Sequence, residues 1–113
     1  MNINPYKISE TFIVNKLKLI KNGNLKLTNY DNEKFSFGDE LNGIKADIQI
    51  NNSDFYFNIL KGGSTGLAEC YVRDDFSTSD LTSLIELTAK NINLTHRFSG
   101  VLMKTFLKNL FKN

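Results

Sequence analysis

The stretch GGSTGLAECYVRDDFSTSDL, residues 62–81, combines glycines with polar side chains and raises the question of a phosphate-binding loop. A P-loop requires four residues between its glycines, followed by Lys and then Ser or Thr. Here three residues separate Gly62 from Gly66, and Leu67 follows. A dinucleotide-binding loop requires G-x-G-x-x-G directly after a strand, whereas a predicted helix precedes this stretch. Spacing and context therefore argue against both phosphate-binding motifs.

The same stretch contains the only cysteine, Cys70, and His96 is the only histidine that could serve as its base. A nucleophilic cysteine needs such a base within hydrogen-bond reach, and nothing in the sequence brings the two residues together. A cysteine on a short predicted helix over 67–72 is typical of a small buried apolar residue. One Cys and one His do not supply the three or four ligands of a zinc site. The adjacent Asp74 and Asp75 are predicted to be turn residues.

The composition is that of one globular domain. The chain has 113 residues, of which 41% are hydrophobic and 23% are charged. No apolar run approaches the length of about 18 residues that a transmembrane helix needs, and the N-terminus lacks the pattern of a signal peptide. A lone cysteine forms no intrachain disulfide. We therefore expect a cytoplasmic protein, with peripheral contact to the inner membrane face as a further expectation.

Charge is unevenly distributed along the chain. Residues 1–86 contain nine basic and twelve acidic residues, whereas five basic residues and no acidic residue follow Glu86. Such asymmetry indicates either a surface that meets an anionic partner or a solvated helix face. The absence of interleaved aromatic and basic residues argues against nucleic acid as that partner.

The N-terminal half is predicted to form a helix and three strands. Apolar residues recur at helical spacing within residues 10–21, and Asn22-Gly23 can end that helix. A two-residue apolar period marks strands around Leu25–Leu27, Phe35–Phe37 and Ile44–Ile50. The first two predict an antiparallel hairpin. The alternation of apolar with polar residues predicts a three-stranded antiparallel sheet that is wet on one face.

The C-terminal half is predicted to be helical. Asn52 or Ser53 can cap a short helix that runs through Lys61, and Gly62-Gly63 stops it before the second short helix over 67–72. Ser77 as N-cap with Asp80 at N3 resembles a capping box for a leucine-rich helix. Apolar residues from Phe98 to Leu110 predict a last amphipathic helix. The predicted class is α+β, with an N-terminal helix, a small three-stranded antiparallel sheet and four mostly short helices.

The segment FYFNILKGGSTGLAECYVRDDFSTSDLTSLIELTAKN resembles the N-terminal domain of the cyclopropane-fatty-acyl-phospholipid synthase family of methyltransferases. That family carries a double-glycine step, a G-L-G/A-E-A-Y-M segment, an acidic-glycine turn, an aromatic residue and a D-L that leads a leucine-rich helix. Asp74 stands where the glycine of that turn is common, and Phe76 replaces the usual Trp. Upstream, NGNLKLTNYDNEKFSFGD is similar to the family's hairpin, so the resemblance covers roughly residues 12–112.

The resemblance implies a single non-catalytic domain over residues 1–113 that presents lipid or contacts a membrane surface. The family's catalytic domain binds S-adenosylmethionine and modifies unsaturated phospholipid acyl chains, and no residue here matches its catalytic or cofactor-binding positions. We therefore expect no cofactor and no metal in this chain. Expected partners are phospholipid or an anionic membrane surface and a methyltransferase domain in cis or in trans. Alternatives are a protein-interaction module that supports a methyltransferase domain or a homodimer, and a stand-alone lipid carrier.

Eight residues are candidates for contact with lipid or with another domain. They are Gly66, Glu69, Tyr71, Phe76, Lys104, Phe106, Lys108 and Lys112. The three lysines are four residues apart, so a helix places them on one face, where they can meet anionic lipid headgroups or line a face packed on a partner domain. Glu69 and Tyr71 have a structural alternative, in which their hydrogen bonds hold the corner of the chain.

Overall fold

A computed structural model describes residues 4–91, without side-chain detail for 63–65. The elements in chain order are α1 (Pro5–Leu17), β1 (Gly23–Thr28), β2 (Lys34–Gly38), β3 (Ile44–Ile50), α2 (Asp54–Val72), β4 (Phe76–Ser77) and α3 (Leu81–Lys90). The α+β class predicted from the sequence is confirmed. The predicted last helix, from Phe98 to Leu110, lies outside the described residues, as does His96.

The four strands form one mixed sheet in the order β2-β1-β3-β4. β1 is antiparallel to β2 and parallel to β3, and β4 is antiparallel to β3. The predicted hairpin is present, with Leu25 opposite Phe37 and Leu27 opposite Phe35. The prediction of three antiparallel strands is wrong in strand number and direction. The two-residue period of a strand reports its buried face and does not specify its neighbour.

The connection between β2 and β3 crosses the start of β1, because β1 lies between these two consecutive strands. Gly38 and Gly43 flank this connection with φ angles of 92° and 87°. A Cβ atom at Gly38 would collide with the carbonyl oxygen of Gly23, and one at Gly43 with that of Asn22. Only glycine combines a positive φ with such close backbone approach. The two glycines therefore allow β3 to pair with β1.

Helix α1 begins earlier than the sequence pattern predicts. The side chain of Asn4 accepts a hydrogen bond from the backbone N–H of Tyr6 at 2.9 Å, and Pro5 occupies the first helical position. Pro suits this position because its missing N–H has no helical partner there. The helix ends at Leu17, before the predicted stop at Asn22-Gly23. The predicted range of 10–21 is therefore displaced toward the C-terminus.

Helix α2 is one helical element that folds back on itself. The rings of Phe55 and Tyr71 both contact the ring of Phe76, at centroid distances of 5.5 and 5.7 Å. A straight helix would separate residues 55 and 71 by about 24 Å. A Cβ atom at Gly66 would collide with the carbonyl oxygen of Asn58, which places the bend between these two residues. The sequence predicts two separate helices here. The chain does reverse its direction here, but the backbone stays helical from Asp54 to Val72.

The core lies on one face of the sheet, beneath the three helices. Alternate strand residues that point toward the helices are buried, namely Leu25, Leu27, Ala46, Ile48 and Ile50. The intervening Lys26 and Lys45 are exposed, as expected for a sheet that is wet on one face. Helix α1 packs on α2, and α3 packs on β3.

Helix α3 is capped by Asp80 and not by Ser77. The Asp80 carboxylate accepts a hydrogen bond from the backbone N–H of Ser83 at 3.1 Å. Ser77 belongs to β4, where it pairs with Gln49. The predicted capping box is therefore wrong, because the strand β4 takes up the residue that was assigned to the cap.

Candidate functional site

An apolar cavity of about 370 Å³ lies on the helical face of the sheet. Its floor is formed by Leu25 and Leu27 of β1 and by Ile48 of β3. These side chains point toward the helices because the strand period of two places all three on the buried face. The volume falls within the range of about 300–1,000 Å³ that is typical of small-molecule sites. The cavity is the candidate functional site of the described residues.

The walls of the cavity come from all three helices and from β4. Helix α1 and the turn after it supply Ile13, Leu17 and Ile20, which recur at helical spacing. The two arms of α2 supply Phe55, Ile59, Leu67, Ala68, Tyr71 and Val72. Helix α3 supplies Leu81, Leu84, Ile85 and Leu87. The bend in α2 is essential to this arrangement, because it brings residues from both ends of one helix to the same cavity.

Few polar groups line the cavity, and most of those are already bonded. The hydroxyl of Thr88 donates to the carbonyl of Leu84 at 2.8 Å. The amide of Asn91 accepts from the backbone N–H of Lys21 at 2.8 Å and donates to the Lys21 carbonyl at the same distance. Lys16 is the only charged lining residue in the described part of the chain. The interior therefore offers hydrocarbon contacts with polar groups only at its edges.

The structure places the four described candidate residues in different surroundings. Tyr71 and Phe76 line the cavity. Gly66 is buried at the bend of α2, where close backbone approach accounts for its presence. Glu69 is exposed, and its carboxylate lies 3.5 Å from the Arg73 guanidinium. Lys104, Phe106, Lys108 and Lys112 lie outside the described residues, so the predicted basic face stays a prediction.

A polar corner adjoins the cavity behind Phe76, and Asp75 is its centre. The guanidinium of Arg73 donates to the Asp75 carboxylate at 2.9 and 3.1 Å, and the Asn52 amide donates to it at 2.8 Å. The sulfur of buried Cys70 accepts a hydrogen bond from the same guanidinium at 3.9 Å. Burial acts to raise the pKa of Asp75, but the hydrogen bonds from Asn52 and Arg73 hold that pKa below the usual value of a carboxyl.

The corner is built for structure and not for catalysis. Burial raises the pKa of the Cys70 thiol to about 12, and the negative charge of Asp75 acts in the same direction. The thiol is therefore protonated near neutral pH, whereas a nucleophilic cysteine requires the thiolate. Within residues 4–91, no group of three or more His, Cys, Asp or Glu side chains could hold a metal ion. Asp74 has a φ of 62°, so it is the turn residue that the sequence predicts, whereas Asp75 is a buried ionic partner.

Sequence reasoning missed several lining residues, including Lys16, Thr88 and Asn91. The apolar spacing of Ile13 and Leu17 identifies the inner face of α1, and Lys16 lies between them in the sequence. That signal places Lys16 near the edge of the buried stripe. It does not show that a cavity lies there, because the distance between α1 and α3 depends on tertiary packing.

None of the three helices in residues 4–91 combines the length and the hydropathy that a bilayer span requires. No family model, no curated protein and no solved structure matches the chain. The functional argument therefore depends on the cavity and on the residues that surround it.

Proposed function

We propose that this chain is a non-catalytic lipid-binding domain that receives an acyl chain in the apolar cavity and presents it to a methyltransferase of the cyclopropane-fatty-acyl-phospholipid synthase type. The observation that carries the proposal is the cavity itself, about 370 Å³ in volume and lined by hydrocarbon on the sheet and on all three helices. Binding sites for apolar ligands combine such a lining with a few polar groups at the edge. Each methylene that leaves water for this lining contributes about 0.8 kcal/mol.

The resemblance noted in the sequence supports the same function. Residues that carry the resemblance also line the cavity, among them Leu67, Ala68, Tyr71 and Phe76. Asp74, which stands where the family commonly has glycine, has the positive φ that glycine adopts readily. On this proposal S-adenosylmethionine belongs to the partner methyltransferase domain. The basic residues near the C-terminus would contact anionic membrane lipids, at the inner face of the membrane.

A cavity-filling substitution tests the proposal. Ala68 lines the cavity from α2, so Ala68→Phe should occupy part of the space that an acyl chain needs. We expect the full chain to bind a neutral fluorescent probe with a dodecyl chain, and the variant to bind it at least about tenfold more weakly. Ala89→Phe is the matched control, since Ala89 is a half-buried alanine on α3 that does not line the cavity. Equal probe binding by both variants and by the parent chain would contradict an acyl site in this cavity.

A second candidate is a protein-interaction module, which one observation favours. Val72 and Tyr71, at the edge of the cavity, are 80% and 47% exposed. Apolar side chains with this exposure are common at protein interfaces. Titration of the full chain with a separate methyltransferase domain of the family, followed by light scattering, would detect the complex. Complex formation by the parent chain but not by Val72→Asp, without any affinity for the dodecyl probe, would favour this function over lipid binding.

A stand-alone lipid carrier would use the same cavity in a different way. A carrier releases its cargo to a second membrane, whereas a presenting domain delivers it to a catalytic domain. Mass spectrometry of organic extracts from the purified full chain would reveal a bound lipid. Transfer of that lipid between donor and acceptor vesicles by the chain alone would favour the carrier.

A further inference from the structure

We propose that the cavity is selective for a single aliphatic chain that ends in an anionic group, such as a medium-chain fatty carboxylate, with Lys16 as the residue that binds the anion. This inference deepens the proposed lipid-binding function and depends on it. Three observations carry the inference: Lys16, Thr88 and Asn91 line the cavity from the C-terminal ends of α1 and α3, no described carboxylate pairs with Lys16, and the length of the cavity suits one chain.

The polar end of the cavity is defined by α1 and α3. The paired hydrogen bonds between Asn91 and the backbone of Lys21 hold the end of α3 against the turn that follows α1. Lys16 lies in the last turns of α1, and Thr88 lies one turn before Asn91, so these three lining residues come from the C-terminal ends of the two helices. At its N-terminal end, α3 begins with Leu81, which lines the cavity together with Phe76.

Lys16 is available to bind an anion. Its side chain is half-buried, and its ammonium nitrogen lies 5.5 Å from the ring centroid of Phe12. Among the described residues, no carboxylate forms an ion pair with Lys16, whereas Lys7 pairs with Glu10 and Lys26 with Glu40. The cavity lining in this part of the chain contains no acidic residue. A carboxylate at this end would therefore be attracted without competition from a resident anion.

The dimensions of the cavity suit one chain of medium length. The helical rise from Leu81 to Asn91 corresponds to about 15 Å between the apolar and polar ends. The volume of about 370 Å³ lies toward the lower end of the range of small-molecule sites. A single chain with its charged end at Lys16 fits both the length and the polarity.

The test compares ligands that differ only in the terminal group. Dodecanoate and dodecanol compete for the full chain against the neutral dodecyl probe at pH 8 and low ionic strength. We expect dodecanoate to bind about twofold to fivefold more tightly, the range of one ion pair at a partly exposed site. Lys16→Met should remove this preference, since Met keeps a similar length and helix propensity but carries no charge. Lys18→Met is the matched control, because Lys18 is exposed and does not line the cavity.

Each contrary outcome contradicts a different part of the proposal. Equal affinity of the parent chain for dodecanoate and dodecanol would overturn the anionic selectivity and leave the lipid-binding function intact. Equal loss of the preference in both lysine variants would refute a specific role for Lys16. Binding of diacylphospholipid vesicles without binding of dodecanoate would overturn the single-chain ligand class. Failure of the parent chain to bind the neutral probe and both dodecyl ligands would overturn the proposed function itself.

Discussion

Asp75 and the apolar cavity lie on either side of Phe76, and the two regions differ in how fully their atoms are contacted. At the polar corner, Arg73 and Asn52 both donate to one buried carboxylate. In the cavity, side chains such as Ile48 and Leu84 face space that no described side chain fills. The polar and ionisable side chains of the corner are engaged in structural contacts. The candidate site is instead lined mostly by apolar side chains.

The comparison explains why the conspicuous polar residues do not mark the site. A buried charge is tolerated only when it is paired and hydrogen-bonded, so the partners of Asp75 are needed for folding. An apolar cavity has the opposite energetics, because its lining loses dispersion contacts until a ligand supplies them. Substitutions at the corner should therefore reduce stability and spare binding. Substitutions in the cavity should reduce binding and largely spare stability.

The largest effect is expected from Asp75→Ala. The change leaves the Asn52 amide without its acceptor, while half-exposed Arg73 can turn to water. We expect the free energy of unfolding to fall by about 2–3 kcal/mol, the usual penalty for leaving buried groups unpaired. Urea denaturation measures this change, and Asp54→Ala is the control because Asp54 is exposed at the start of α2. A loss below about 0.5 kcal/mol would show that the corner does not stabilise the fold.

A ligand should stabilise the protein through the cavity and independently of the corner. A saturating ligand at ten times its Kd raises the free energy of unfolding by about 1.4 kcal/mol. We expect the dodecyl probe to raise the Tm of the parent chain and of Asp75→Asn by similar amounts. Ala68→Phe should show little or no shift, because Phe occupies the ligand's space. A shift in Ala68→Phe as large as in the parent chain would place the ligand outside the cavity.

As the pH falls, the polar corner should lose its contribution to stability before the cavity is affected. The pKa of Asp75 is lower in the folded protein than its ordinary value. Its stabilising contribution is therefore present above the unfolded pKa of about 3.9 and is lost as the pH falls through the folded value. Asp75→Asn should show a shallower loss of stability between about pH 5 and pH 2 than the parent chain. Parallel pH profiles would mean that other carboxylates, such as Asp47 and Asp80, account for the acid sensitivity.

The smallest effect is expected from Asp74→Gly in the turn that joins the corner to the cavity. Asp74 has a φ of 62°, which glycine adopts at lower cost. The backbone carbonyl of Asp74 still accepts from the Asn51 side chain after the substitution. We expect stability to rise by about 0.5 kcal/mol and probe binding to stay unchanged. The control is Asp54→Gly, within the helical first turn of α2, which should instead lower stability. A loss of stability in both variants would argue against relief of strain at residue 74.

Local patterns were sufficient to predict many elements of the fold. The alternation in β1, β2 and β3 predicted these strands and the hairpin, because backbone pleating requires side chains to alternate between faces. Gly62-Gly63 predicted a break between two helices, and the bend of α2 lies between Asn58 and Gly66. The sequence did not reveal β4, since a strand of two residues carries no period. It also did not reveal that β1 and β3 are parallel neighbours.

The candidate site was predicted less completely than the fold. Tyr71 and Phe76 were chosen for their place in the family-like stretch, and both line the cavity. Glu69 was chosen from the same stretch, but its carboxylate faces solvent beside Arg73. Lys16 was not among the candidate residues. Its place at the cavity edge follows from the positions of α1 and α3, which no local pattern reports.

The sequence by itself determined which faces of the strands and helices are apolar and where the chain turns. Those properties depend on side-chain periodicity and on residue chemistry, which act over a few neighbouring positions. Only the tertiary structure decided that the apolar faces enclose a cavity with Lys16 at one end. A cavity arises from the separation of elements that are distant in sequence, and that separation is set by the packing of α1, α3 and the folded-back α2 against the sheet.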